Sequence, residues 1–156
     1  MNMPIPRDKK TKRNFPCIYN IDKDVCHKTN WKLNEPFISE WLEISVDGEI
    51  KIKASEDNKY SWDGCTPKFS IFNLFILGTP DGHIDYRTGK PFTYKASLIH
   101  DALYQYIDSV PISKKEIDLL FKEILGDFKL AYLYYMAVKY FGAWGVVQYG
   151  LKNKVT

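Results

Sequence analysis

The stretch KASLIHDALYQYI, residues 95–107, sets Ala96, Ile99, Leu103 and Tyr106 at helical spacing and decides how the second half of the chain is read. It predicts a helix from Thr93 to about Asp108. Within it His100 and Asp101 stand side by side, with Tyr104 three residues after the aspartate, where leucines would pack better. Leu103, Tyr104 and Ile107 share the helical face of His100, so the imidazole is expected to point toward the packed side. Asp101 is turned about 100° away, to the edge of that face.

Toward the C-terminus, Pro111 ends the break after this helix, and Ser113-Lys114-Lys115-Glu116 has the form of a capping box. Ile117, Leu120, Phe121, Ile124 and Leu125 make the apolar face of a second helix, which Gly126 closes. Asp118 lies at the rim of that stripe. A short connection makes the two helices an antiparallel hairpin. Counted from a loop at 109–112, His100 lies nine residues back and Asp118 six forward, a difference of about 4 to 5 Å along the axes. The two side chains are therefore expected to meet. The last segment, FKLAYLYYMAVKYFGAWGVVQYG (128–150), is rich in Tyr and apolar nearly all round, interrupted by Lys129, Lys139 and Gln148. It reads as a core helix that other elements wrap, in preference to a helix lying on a membrane surface.

Toward the N-terminus, WLEISVDGEIKIK (41–53) alternates Leu42, Ile44 and Val46, then Ile50 and Ile52, with polar residues, the pattern of a β-hairpin. A two-residue loop at Asp47-Gly48 would put its two apolar rows on opposite faces. The register requires an odd loop, a three-residue turn with Gly48 left-handed as a bulge. YSWDGCTPK (60–68) reads as a loop, FSIFNLFILG (69–78) as an apolar run, and Gly82, Gly89 and Pro91 as marks of a further loop. Residues 1–40, rich in Pro, Asn, Asp and Lys, read as an irregular basic arm anchored by Trp31, Phe37 and Ile38. The expected fold is α+β: this arm and the β-hairpin packed on a mainly helical C-terminal half, with 41–156 as a single domain.

Composition agrees with one domain. The 156 residues are 45% hydrophobic and 15% aromatic, enough for a real core and too few for two domains of ordinary size. The net charge of +3 is small, and its basic excess gathers in PRDKKTKR (6–13), a solvated tail. Nucleic acid is expected as a partner only through that tail. The first residues lack the apolar core of a signal peptide, which predicts a cytoplasmic protein. Cys17, Cys26 and Cys65 are too few and too odd for a disulfide framework and suit a reducing compartment. Neither Cys26-His27 nor His83 has metal-ligand spacing.

The chemistry lies in the first helix and one loop. A carboxylate from Asp118 on one ring nitrogen of His100 would fix its tautomer and leave the other nitrogen to take a proton from water. Asp101, facing away, could then bind a metal. The loop at Asp63-Gly64 offers a second carboxylate and carbonyl oxygens, an all-oxygen set that suits calcium better than zinc.

These residues resemble a family. W-D-G-C-T (62–66), H-D-x-x-Y (100–104) and the later Asp118 resemble the bacterial and fungal secretory phospholipase A2 enzymes, whose pattern is W-x-x-D-G-C-S, H-D-x-x-Y and an aspartate in the next helix. The resemblance implies His100 as general base, Asp118 as its partner, and Tyr104 as a support of that dyad. It also implies Asp63, Asp101 and the Gly64 carbonyl as calcium ligands, and a phospholipid or membrane surface as partner. The chain also resembles the phage and prophage domain-of-unknown-function family 1353, with T-D-G-A-S-x-P, H-D-x-L-Y and S-R-x-x-A-D-x-x-F, over roughly 60–145. Asp63 to Pro67, His100 to Tyr104, and Ser113, Asp118 and Phe121 carry that likeness, which implies a phage-encoded protein working in the host cytoplasm on host or virion proteins. One departure stands out. The lipases join the cysteine of D-G-C to a cysteine three residues before the histidine, and this chain has Ser97 there.

Three functions follow. The first is calcium-dependent hydrolysis of a lipid acyl ester by His100. The second is a non-catalytic phage structural or host-interaction protein in which His100 and Asp118 form a structural pair. The third, a metal phosphohydrolase using adjacent His and Asp, needs more histidines than His27 and His83 supply and ranks last.

Overall fold

A three-residue turn sets the register of the largest sheet. The computed structural model of the protein describes residues 19–62, 69–71, 75–77, 84–127 and 130–140. In chain order the strands are β1 (Tyr19–Ile21), β2 (Val25–Lys28), β3 (Phe37–Ile38), β4 (Leu42–Ile44), β5 (Glu49–Ile52), β6 (Tyr60–Trp62), β7 (Phe69–Ile71), β8 (Phe75–Leu77), β9 (Ile84–Asp85) and β10 (Lys90–Pro91). Two helices, α1 (Tyr94–Gln105) and α2 (Lys114–Leu125), follow, with a third, α3, described over 131–140. The described strand pairs are antiparallel, and the fold is α+β. The chain clusters into two compact units, Met1–Asp63 with Leu98–Lys114 and Gly64–Ser97 with Lys115–Thr156. Each takes part of the span 41–156 that reads as one domain in the sequence.

In the first unit β2, β5, β4 and β3 form a four-stranded sheet in that order. Leu42 faces Ile52 and Ile44 faces Ile50, as the hairpin reading requires. Ser45 donates its amide to the Glu49 carbonyl, and Gly48 donates to the Ser45 carbonyl, both at 2.9 Å, so Val46, Asp47 and Gly48 form the loop. Gly48 has φ of 79°, the left-handed bulge position. The four aliphatic side chains are fully buried, each burial contributing about 1.5–3 kcal/mol. The other face is ionic. Lys51 pairs with Asp24 at 3.1 Å and Lys53 with Glu43 at 3.2 Å, contacts that solvent screening leaves weak. The segment 98–114 meets the strands of this unit through Tyr106 and Gln105. The Trp41 amide donates to Tyr106 Oη at 3.3 Å, Phe37 meets the Tyr106 ring edge-on at 5.9 Å, and Tyr60 Oη donates to Gln105 Oε1 at 3.2 Å.

The irregular arm needs correction over 19–38, which supplies β1, β2 and β3. Its Pro, Asn, Asp and Lys mark the turns between strands of two to four residues, too short to display a period. Within 60–68, read as loop, Tyr60–Trp62 is a strand paired with β1, and Tyr60 and Trp62 are core residues. Residues 1–18 lie outside the described residues.

In the second unit Ala96, in the first turn of α1, shares a core with Phe121 and Leu125 at the end of α2 and with Ala131, Tyr134 and Val138 of α3. A start packed against an end is what an antiparallel pair produces. α2 begins at Lys114, which leaves Ser113 at the N-cap position and Glu116 in the first turn. Gly126, with φ of 56°, ends it by donating to the Glu123 carbonyl at 3.0 Å. β9 and β10 form a short ladder where the sequence shows only loop signals.

The turn yields a test. A methyl group on Gly48 would lie 2.7 Å from Thr29 Oγ1 and against the Trp31 carbonyl oxygen, on a backbone that L-residues disfavour. Gly48→Ala is expected to lower stability by about 2 kcal/mol or more, read as a shift in the urea midpoint. An unchanged midpoint would contradict the bulged turn.

Candidate active site

α1 is wrapped on nearly every side. Over 96–103 every residue is buried except His100, which is half-buried. The reason lies in two apolar stripes, Ala96-Ile99-Leu103 and Leu98-Ala102, which face different directions on the helix. The narrow window between them on the third side belongs to His100 and, one turn on, Tyr104. The two rings stack, with centroids 4.1 Å apart and planes inclined by 30°. In the same unit the Lys114 ammonium lies 5.8 Å from the centroid of the Tyr104 ring, within cation–π range.

The sequence assigns the packed side to His100 and the edge to Asp101, and the structure reverses this order. Asp101 is 8% exposed, flanked by Leu98 and Ala102 on the second apolar stripe. A helix amphipathic on one face only would have left it wetter. Asp118, in the second unit, is 2% exposed among Ile117, Leu120, Phe121 and Leu125, well inside the rim where the sequence puts it. An isolated buried carboxylate would cost several kcal/mol, and neither aspartate is isolated, since both have interaction partners, as do His100 and Tyr104.

His100, Asp101 and Tyr104 thus occupy one helix segment of the first unit, and Asp118 belongs to the second. Asp63, Gly64 and His83 lie outside the described residues. Among the described residues no group of three or more His, Cys, Asp or Glu side chains could hold a metal ion. With Asp63 and Gly64 beyond them, the calcium set can be tested only at Asp101, a buried carboxylate of the hard oxygen type that calcium takes. That residue fits in kind. Ser97, at the position of the lipase cysteine, is buried and donates its hydroxyl to the Tyr94 carbonyl at 3.1 Å, a bond within the helix. Cys26 is an exposed free thiol on β2.

Lys114 is the neighbour that sequence reasoning missed. It is a capping-box residue in sequence terms, and only the turn of chain between α1 and α2 sets its ammonium beside Tyr104. Comparison with protein-family models, with curated proteins and with solved structures yields no match.

The stack can be tested without any activity. In Tyr104→Phe the His100 ring protons should keep the ring-current shift that a stacked aromatic produces, and in Tyr104→Leu they should move toward free-imidazole positions, read in a proton–carbon correlation spectrum. Identical shifts in both variants would mean that Tyr104 does not hold the imidazole in solution.

Proposed function

We propose that the protein is a phage-type acyl-ester hydrolase with a phospholipase A2-like site, acting on phospholipid in the host cytoplasm, with His100 as the general base. The observation that carries this reading is the burial pattern of α1: a helix buried over 96–103 leaves one side chain within reach of water, and that side chain is a histidine. A packing helix has no need of an imidazole there. A general base must reach solvent or substrate and be held in one orientation, and the Tyr104 stack supplies the second condition.

In this reading His100 takes a proton from water as the water oxygen attacks the ester carbonyl, and returns it to the departing glycerol oxygen when the tetrahedral adduct collapses to fatty acid and lysophospholipid. Asp118 has the role that the resemblance gives it, holding the imidazole tautomer. Asp101, with Asp63 and the Gly64 carbonyl, would hold calcium, which supplies positive charge for the developing oxyanion. Ser97 in place of a cysteine suits a version of this site that works in a reducing compartment.

The test uses a short-chain phospholipid below its micellar concentration, with calcium present. Wild type is expected to release fatty acid, and His100→Gln to lose about 10²- to 10⁴-fold in rate while melting as the wild type does. Calcium a hundredfold above its dissociation constant should stabilise the wild type by about 2.7 kcal/mol. Magnesium should stabilise it less, and Asp101→Asn should remove most of the calcium gain. An inert wild type whose melting calcium does not move would turn the site into a helix-pinning pair and favour a phage structural or host-interaction protein.

A further inference from the structure

The segment around α3 reads in sequence as a core helix wrapped by others, yet over 131–140 only Ala131, Tyr134 and Val138 are buried. These three lie on one side. The opposite side carries Tyr132, Leu133, Met136, Lys139 and Tyr140, of which Tyr132 is 63% exposed, Tyr140 58% and Leu133 40%. A surface helix ordinarily turns several charged residues outward. The described part of α3 contains one, and it is a lysine.

The basic groups here are ordered by the rings. The Lys122 ammonium, from α2, lies 5.7 Å from the Tyr132 centroid and 5.4 Å from that of Tyr135. The Lys139 ammonium lies 6.0 Å from Tyr135 and 5.5 Å from Tyr140. Two cations are thus interleaved with three tyrosines across α2 and α3, all within the second unit. Leu119, one turn before Lys122, is 43% exposed and extends the apolar part of this surface. Glu123, also exposed on α2, is the nearest acidic neighbour of Lys122 in sequence.

We propose that this face of α3, with Lys122, docks on the surface of an anionic phospholipid bilayer. The argument is one of matching layers. A bilayer surface offers phosphates at one depth and hydrocarbon just below, and this face offers ammonium and phenol groups beside exposed leucine and half-buried methionine side chains. Single-stranded nucleic acid would use the cations and rings but gives no place to the aliphatic groups. No described helix is long and apolar enough to cross a membrane. The choice of partner rests on the lipid reading of His100, and the docking itself requires no turnover.

The experiment is co-sedimentation of the full chain with vesicles of phosphatidylcholine alone or mixed with phosphatidylglycerol, in chelator, using the His100→Gln protein beside wild type. Both proteins should bind the mixed vesicles, less as salt rises, and bind phosphatidylcholine poorly. Lys122→Gln with Lys139→Gln should weaken binding about 30-fold, about fivefold for each lysine near the surface. Tyr132→Ala with Tyr140→Ala should weaken it as well, with unchanged circular dichroism. Equal binding to both vesicle types, no binding to either, or binding by either double variant equal to wild type overturns the proposal. So does a single-stranded oligonucleotide that displaces the protein from vesicles. Hydrolysis of the monomeric substrate without vesicle binding removes the docking face alone, and vesicle binding without hydrolysis removes the catalytic reading alone.

Discussion

The burial of α1 is the constraint on which the rest depends. A helix that loses water over nearly its whole circumference gains apolar transfer energy from Leu98, Ile99 and Leu103. It must in return find a partner for every polar group it carries inward. Ser97 turns its hydroxyl onto its own helix at Tyr94, and Asp101 is partnered. An unpaired carboxylate there would cost more than one leucine contributes. The first turn of α1 contributes Ala96 to the core of Phe121 and Leu125 in the second unit, and within the first unit Gln105 accepts from Tyr60 Oη.

That constraint explains which parts of the fold were legible in the sequence. The Val46-Asp47-Gly48 turn, the start of α2 after Ser113 and its stop at Gly126 follow from rules that act over three or four residues, and the structure has all three. β1, β2, β3 and β6 were illegible because strands of two to four residues show no period, and the β1–β6 and β2–β5 pairings join segments far apart in the chain. Tyr60 and Trp62 looked like loop residues because they sit beside Asp63-Gly64. Their burial comes from the partner strand, which no local signal announces.

The candidate residues were easier to read than their exposures. Residue types and spacing, together with the family resemblance, singled out His100, Asp101, Tyr104 and Asp118, and the structure leaves His100 half-buried and both aspartates buried. Helical-wheel reasoning then exchanged the exposures of His100 and Asp101, because it assumes one buried face, whereas α1 has two stripes that leave the histidine between them. Lys114 could not be foreseen beside Tyr104, since the 106–113 connection that brings it there contains bends without a regular repeat.

The contrast between α1 and α3 shows why composition is a poor guide to burial. α1 carries Lys95, His100 and Asp101, yet over 96–103 all but His100 are interior; the described part of α3 carries one charge and leaves half its circumference exposed. Tyrosine accounts for the difference. Its ring counts as apolar in a sequence profile, but its hydroxyl retains a preference for water, so a Tyr-rich helix can lie at a boundary where a Leu-rich one would be drawn inside. On α3 the buried stripe of Ala131, Tyr134 and Val138 is narrow, about one residue per turn, and suffices to hold the helix. The remaining aromatic surface is more than packing requires, and lysines settled on its rings keep it wetted while leaving it able to meet a partner with both charge and hydrocarbon.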